Sequence, residues 1–110
     1  MPGKFEIKKA QNGQFHFNLK ASNGEIILSS EMYTTKRSAS NGIASVQKNS
    51  QAAVRFDRRK AKNGKDYFVL KAGNHQVIGQ SEMYETARAM ENGIKSVMKN
   101  GAATKVEDLS

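Results

Sequence analysis

Two short phrases carry the side chains best suited to chemistry: Ser30-Glu31-Met32-Tyr33 and Ser81-Glu82-Met83-Tyr84. In each, a carboxylate recurs beside a thioether and a phenol, and a functional reading makes them a pair of symmetry-related pockets. A structural reading makes them strand-to-helix corners, with Met and Tyr packed under the helix and Glu answering Lys20 or Lys71. The structural reading is preferred, because duplication preserves corners at least as readily as pockets. Ser29, Ser30 and Ser81 lack a G-x-S-x-G context and a His/Asp partner. His16 and His75 occupy non-equivalent positions, and neither stands in a metal-ligand spacing, so no metal site is expected. There is no Cys, which excludes disulfides, thiolate zinc sites and cysteine nucleophiles. Neither a P-loop nor a dinucleotide-binding glycine pattern occurs. No catalytic residue and no cofactor is expected, and the chain reads as non-enzymatic.

One stretch is strongly basic. In "VRFDRRKAKNGKD", Arg55, Arg58, Arg59, Lys60, Lys62 and Lys65 lie within eleven positions, with only Asp57 among them. The matching stretch near the N-terminus is weaker, with Lys8-Lys9 its only consecutive basic pair. One reading is a strand and hairpin tip that track the phosphates of a nucleic acid or another polyanion, with Tyr67 or Tyr84 stacking a base. The other is a solvated edge whose cations keep neighbouring sheets from pairing, and this is preferred. Arg58 shares a side with Phe56 by alternation, so the charges need not point one way. The formal charge of +8 bears on solubility and non-specific association rather than on fold. A third reading places a small molecule or peptide in a groove between the repeats.

Those repeats are the elements that must position the candidates. Phe5–Ser50 lies over Phe56–Gly101 without a gap at an offset of 51 positions, and roughly half the aligned residues are identical. The chain of 110 residues is read as one domain made of two repeats, about 4–54 and 55–107. Each repeat runs strand, strand, strand, helix. "KFEIKK" and "RFDRRK" open the two copies, and "FHFNLKA" alternates strictly, with Phe15, Phe17 and Leu19 on one side. Asn12-Gly13 and Asn63-Gly64 carry the hairpin signal of a type I′ turn. The next turns fall at Asn23-Gly24 and Asn74-His75, where His75 must take a positive φ. "EIIL" and "QVIG" are the third strands.

From Thr35 and Thr86 the period becomes helical. Ala39, Ile43 and Val46, with Met90, Ile94 and Val97, line one face of each helix. The two threonines are the expected N-caps, and Asn49-Ser50 and Asn100-Gly101 the stops. Gly42 and Gly93 fall mid-helix, at a cost of about 1 kcal/mol against Ala, which points to a close approach of the helix to the sheet. "QAAVRFDRRKA" is long enough to close one repeat and open the next without a turn, and "AATKVED" is its C-terminal counterpart.

The tandem phrase, together with the "NGK-x-YF-x-LKA-x-N-x-x-x-I" run of the second copy, resembles the YegP-like family, bacterial proteins of unknown function built from tandem units of roughly 50 residues. The resemblance covers Lys4 to about Val106. It implies an α+β fold of two β-β-β-α-β units sharing one antiparallel sheet, with their last strands swapped and both helices packed against it. The family supplies no activity and no catalytic residues.

No apolar stretch reaches the length of a signal peptide or membrane span, and a cysteine-free small domain suits a reducing compartment, so a cytoplasmic monomer with internal pseudo-two-fold symmetry is expected. Because a single repeat buries too little surface to be stable alone, residues 1–51 expressed by themselves should be unfolded or dimeric. Sedimentation and thermal melting check this, and a cooperatively folding monomeric half would replace the shared sheet with two independent units.

Overall fold

Strand β1 (Lys4–Lys9) turns back into β2 (Phe15–Lys20), and β4 (Phe56–Lys60) into β5 (Asp66–Lys71), where the Asn-Gly signals stand. The computed structural model describes residues 3–110. The loops differ from the two-residue turn expected. Ala10 N–H bonds Gln14 C=O at 2.8 Å and Gly13 N–H bonds Ala10 C=O at 3.0 Å, which makes a three-residue loop closed by a left-handed glycine, φ 83°. The asparagine contributes its side chain instead: Asn12 Oδ1 accepts from Gln14 N–H at 3.0 Å. Asn23, Asn63 and Asn74 repeat this bond in the other three loops. His75 takes φ 70°, as its alignment with Gly24 requires.

With β3 (Ile26–Ser30), β6 (Val77–Gln80) and β7 (Val106–Asp108), the strands form one mixed sheet in the order β4-β5-β6-β3-β2-β1-β7. The pseudo-two-fold axis runs between β3 and β6, which pair antiparallel through Ser29–Gln80 and Ser30–Gly79. The chain is therefore α+β, with two tandem repeats completing one sheet. All pairings are antiparallel except that of β7, which crosses to the first repeat and lies parallel to β1. The exchange is one-sided. A 3-10 turn at Ala53–Arg55 leads into β4, and among the described residues β4 pairs only with β5.

Helices α1 (Lys36–Asn49) and α2 (Ala87–Asn100) cover one face. Thr35 and Thr86 cap them, each hydroxyl accepting from the backbone N–H three residues on. Both helices reach strands of both repeats, so Phe5, Phe17, Leu19, Phe56, Phe68 and Leu70 share one core with Ile43, Val46, Ile94 and Val97.

The mid-helix glycines are explained by the corner tyrosines. Tyr33 stacks on Phe17 with ring centroids 6.2 Å apart, and its phenol lies directly beneath Gly42. A Cβ on Gly42 would stand 2.9 Å from Tyr33 Cζ and from Phe17 Cε2, and one on Gly93 would stand 2.7 Å from Tyr84 Cζ. Gly42→Leu should therefore destabilise by about 2–3 kcal/mol in denaturant titration, since overpacking outweighs the roughly 1 kcal/mol gain in helix propensity. A stabilised variant would place the glycine on the solvent side.

Candidate functional site

The repeated corner is built from its serine outward. Ser30 Oγ accepts from Phe17 N–H at 2.8 Å and donates to Glu31 C=O at 2.7 Å. Ser81 does the same with Phe68 N–H and Glu82 C=O, at 3.0 and 2.8 Å. Both hydroxyls are thus committed to the backbone where the third strand leaves the sheet. Tyr33 then re-forms a bridge to Phe15, and Tyr84 one to Asp66. Burial raises both phenol pKa values, and the Glu31 carboxylate near Tyr33 and the Glu82 carboxylate near Tyr84 add to it.

The other two corner residues depart from the packing expected of them. Met32 and Met83 are 46% and 41% exposed instead of lying under the helices, because the chain turns outward between Ser and Tyr. Glu31 and Glu82 do not answer Lys20 and Lys71. Lys20 binds Glu6 at 3.1 Å and Lys71 binds Asp57 at 3.3 Å, both across neighbouring strands on the face away from the helices. Among the described residues, Glu31 and Glu82 form no ion pair. They rim a groove of about 410 Å³ at the β3–β6 junction, lined also by Ile26, Leu28, Met32 and Gln80. A second hollow of about 430 Å³ adjoins it and shares Glu31, with Tyr33 and Val77.

The basic run is spread over two faces. Arg58 shares the helix face with Phe56 and makes a two-pronged pair with Glu91 of α2, one contact at 2.8 Å. Arg59 lies on the opposite face, where it pairs with Asp57 at 3.0 Å beside Tyr67. Lys60 meets Asp66 at 3.4 Å and Lys65 meets Glu85 at 2.9 Å. Arg58 lowers the Glu91 carboxyl pKa, and Arg59 with Lys71 lowers that of Asp57. Arg55 and Lys62 have no ion-pair partner among the described residues. Tyr84 is stacked on Phe68 at 6.3 Å under Gly93, Tyr67 stands across from Arg59, and both rings are half-buried. His16 stands across from Lys8 and His75 in a hairpin loop, on separate parts of the sheet.

Sequence reading overlooked Glu6, which is only 4% exposed although it lies on the face without helices. Burial pushes its carboxyl pKa up, and Lys20 at 3.1 Å with Lys4 at 3.3 Å more than offset this, so the net shift is downward. The alternation Lys4-Glu6-Lys8 hints at such a charge row, but Lys20 joins it only through the strand register.

The family described as a domain of unknown function, DUF1508, matches at residues 10–57 and again at 61–108. The chain belongs to this family. Its sequence is 62% identical to the UPF0339 protein YegP of Yersinia pestis over 108 residues, 98% of this chain and 96% of that protein. It is 56% identical to a UPF0339 protein of Shewanella oneidensis over the full length of both. The solution NMR structure of YegP from E. coli, itself described as of unknown function, superposes with a TM-score of 0.94 at 54% identity, covering 99% of this chain and 94% of that one. The Shewanella structure gives 0.93 at 56%, covering 99% and 92%. The family frame ends each unit on equivalent residues, so Arg55-Phe56-Asp57 stand where Val106-Glu107-Asp108 stand in the second.

The terminal strand is secured by charge. Lys4 meets Glu107 at 3.1 Å and Lys36 meets Asp108 at 2.8 Å. Lys36, with Ser110 behind it, lowers the Asp108 carboxyl pKa to about 2. A lowered carboxylate contributes stability above its ordinary range near pH 4, and loses it as pH falls toward 2. Protection of the Leu109 amide, bonded to Ile7 C=O at 2.8 Å, should therefore decline between about pH 4 and pH 2 in hydrogen exchange. Asp108→Asn should flatten that decline, and an unchanged profile would assign it to another carboxylate.

Proposed function

We propose that the protein is a non-catalytic binding module whose ligand occupies the groove between the repeats. The observation that carries this reading is the combination at one junction of unpaired carboxylates, Glu31 and Glu82, with the exposed apolar side chains of Met32 and Ile26. Pockets that bind small ligands join an apolar lining to a few convergent polar groups, and methionine adapts its shape to varied ligands. Two carboxylates with no ion pair among the described residues favour a positive head group, and the apolar lining favours an alkyl or aliphatic body. The reading is therefore an amphipathic amine or a peptide bearing one. Absence of a catalytic role is supported by the corner hydroxyls of Ser30 and Ser81, which are held by backbone groups on both sides.

Nucleic-acid binding through the basic strand has weaker support. Arg58, Arg59, Lys60 and Lys65 already have carboxylate partners, and the cations divide between two faces of the sheet. Phosphates would have to displace those partners before counterion release could favour binding. A cytoplasmic setting is part of the same proposal. Among the described residues no helix is long and apolar enough to cross a membrane.

Titration of methyl-labelled protein with hexylamine, and with hexanoate as the charge-reversed control, tests the groove. The Met32 methyl resonance should shift to saturation with the amine only. Glu31→Gln combined with Glu82→Gln should weaken binding about fivefold. Equal responses to amine and carboxylate, or none to either, would remove the groove from consideration.

A further inference from the structure

The pseudo-symmetry of the fold leaves one slot unfilled. Strands β1 and β4 are equivalent, yet β1 carries β7 along its outer edge and, among the described residues, β4 carries nothing. Burial records the difference. Ile7 is 3% exposed where its counterpart Arg58 is exposed, and the Glu6 side chain is 5% exposed where that of Asp57 is 38%. The outer backbone groups follow from the register. The hairpin bond from Ala61 N–H to Lys65 C=O sets the ladder, so Asp57 and Arg59 exchange bonds with β5 while Phe56, Arg58 and Lys60 turn theirs outward. On β1 the corresponding outward groups are used: Phe5 N–H bonds Lys105 C=O at 3.0 Å, and Ile7 C=O accepts from Leu109 N–H at 2.8 Å. On β4 the first donor is taken, since Phe56 N–H closes the 3-10 turn on Ala53 C=O. The carbonyl of Phe56 and both backbone groups of Arg58 and Lys60 have no partner among the described residues.

We propose that the β4 edge is a docking site for an extended acidic segment of another protein, added as a parallel strand in the register that β7 shows on β1. The intrachain strand is the template. Its Glu107 and Asp108 are held by Lys4 and Lys36, at 3.1 and 2.8 Å. The β4 edge offers Arg55, which has no ion-pair partner among the described residues, in place of Lys4, with Ala87 where Lys36 stands. Arg59 and Lys60 lie beside it, paired with Asp57 and Asp66, and the edge begins beside Val54, an apolar side chain 82% exposed. Main-chain bonds would supply the affinity and the cations the choice of partner. A second copy of the chain is a poor occupant. Two β4 strands side by side would bring together two runs of four cations, Arg55, Arg58, Arg59 and Lys60, with Asp57 the one acidic residue within each run, and like charges facing across strands are destabilising. The β7 of a second copy is already bound to its own β1. The site is separate from the groove between the repeats and stands or falls independently of it.

The test is an NMR titration of the full chain with an eight-residue peptide copied from positions 103–110 but with Glu in place of Lys105. A matching peptide with Lys at the three acidic positions serves as control. The acidic peptide should shift the Arg58 and Lys60 amides to saturation and slow their hydrogen exchange, leaving the Phe5 and Ile7 amides and the Met32 methyl unchanged. Arg58→Pro removes an outward N–H together with the side chain that pairs with Glu91 and should weaken binding about tenfold, whereas Arg58→Ala, which loses the same pair but keeps that N–H, should weaken it less. If Arg58→Pro fails to fold, a peptide N-methylated at the residue equivalent to Glu107 should lose binding by the same amount. Equal binding of both peptides, equal loss in Arg58→Ala and Arg58→Pro, or no saturation at millimolar peptide overturns the proposal. So do shifts confined to the groove, or a response of Arg58 and Lys60 to oligothymidine but not to the acidic peptide.

Discussion

Each helix rests on the sheet through the contact between a phenol ring and a helical glycine. Tyr33 under Gly42, and Tyr84 under Gly93, set how near the helix axis comes to the strands. The contact has prerequisites, and the repeated phrase supplies them in order. Serine ties the end of the third strand to the second, Glu and Met turn outward, and Tyr returns to pair with Phe15 or Asp66 before the threonine cap starts the helix. The ring is left stacked on Phe17 or Phe68, with room above it only for a residue lacking a Cβ. The cost of mid-helix glycine, about 1 kcal/mol, is offset by burial of an aromatic ring, which removes far more apolar surface from water.

A second constraint acts where a residue meets its own copy across the pseudo-two-fold axis. Leu28 and Gly79 are equivalent, and a Cβ on Gly79 would lie 2.7 Å from Leu28 Cδ2. Ser50 and Gly101 are equivalent, and a Cβ on Gly101 would lie 2.6 Å from Ser50 Cβ. A symmetric homodimer must place the same side chain on both sides of such a contact, so it is confined to small residues or to a gap. Fusion of the repeats frees each side to change. One side grows, the other shrinks to glycine, and the core closes at native density.

The same freedom separates the two outer edges. β1 is buried under β7 and carries Ile7, while β4 stays open and carries Arg58 at that position. Edge strands rich in Lys and Arg resist pairing with their own kind, yet the outward backbone groups remain capable of pairing with a strand of opposite charge. The acidic rim of the groove and the basic edge strand thus give a chain of +8 formal charge two surfaces of opposite local character. Which molecules reach them follows from these local fields, not from the net charge.

The duplication, the α+β order, the threonine caps and the left-handed conformation of His75 were all legible in the sequence, because each depends on short spacings read against a second copy. The hairpin loops were placed but mistyped, since Asn-Gly suits a two-residue turn and a three-residue loop alike, and the asparagine side-chain bond decides between them. The corner was located without its wiring: nothing in Ser-Glu-Met-Tyr says that serine bonds to a strand thirteen residues earlier, or that methionine faces water. The candidate groove and the open edge were beyond sequence reasoning altogether. Both depend on which strands become neighbours, and on β7 crossing to β1 while β4 receives no partner. Local chemistry determined what each segment of this chain would form; long-range pairing alone decided which backbone groups and carboxylates were left without a partner, since that is set by the closure of the whole sheet.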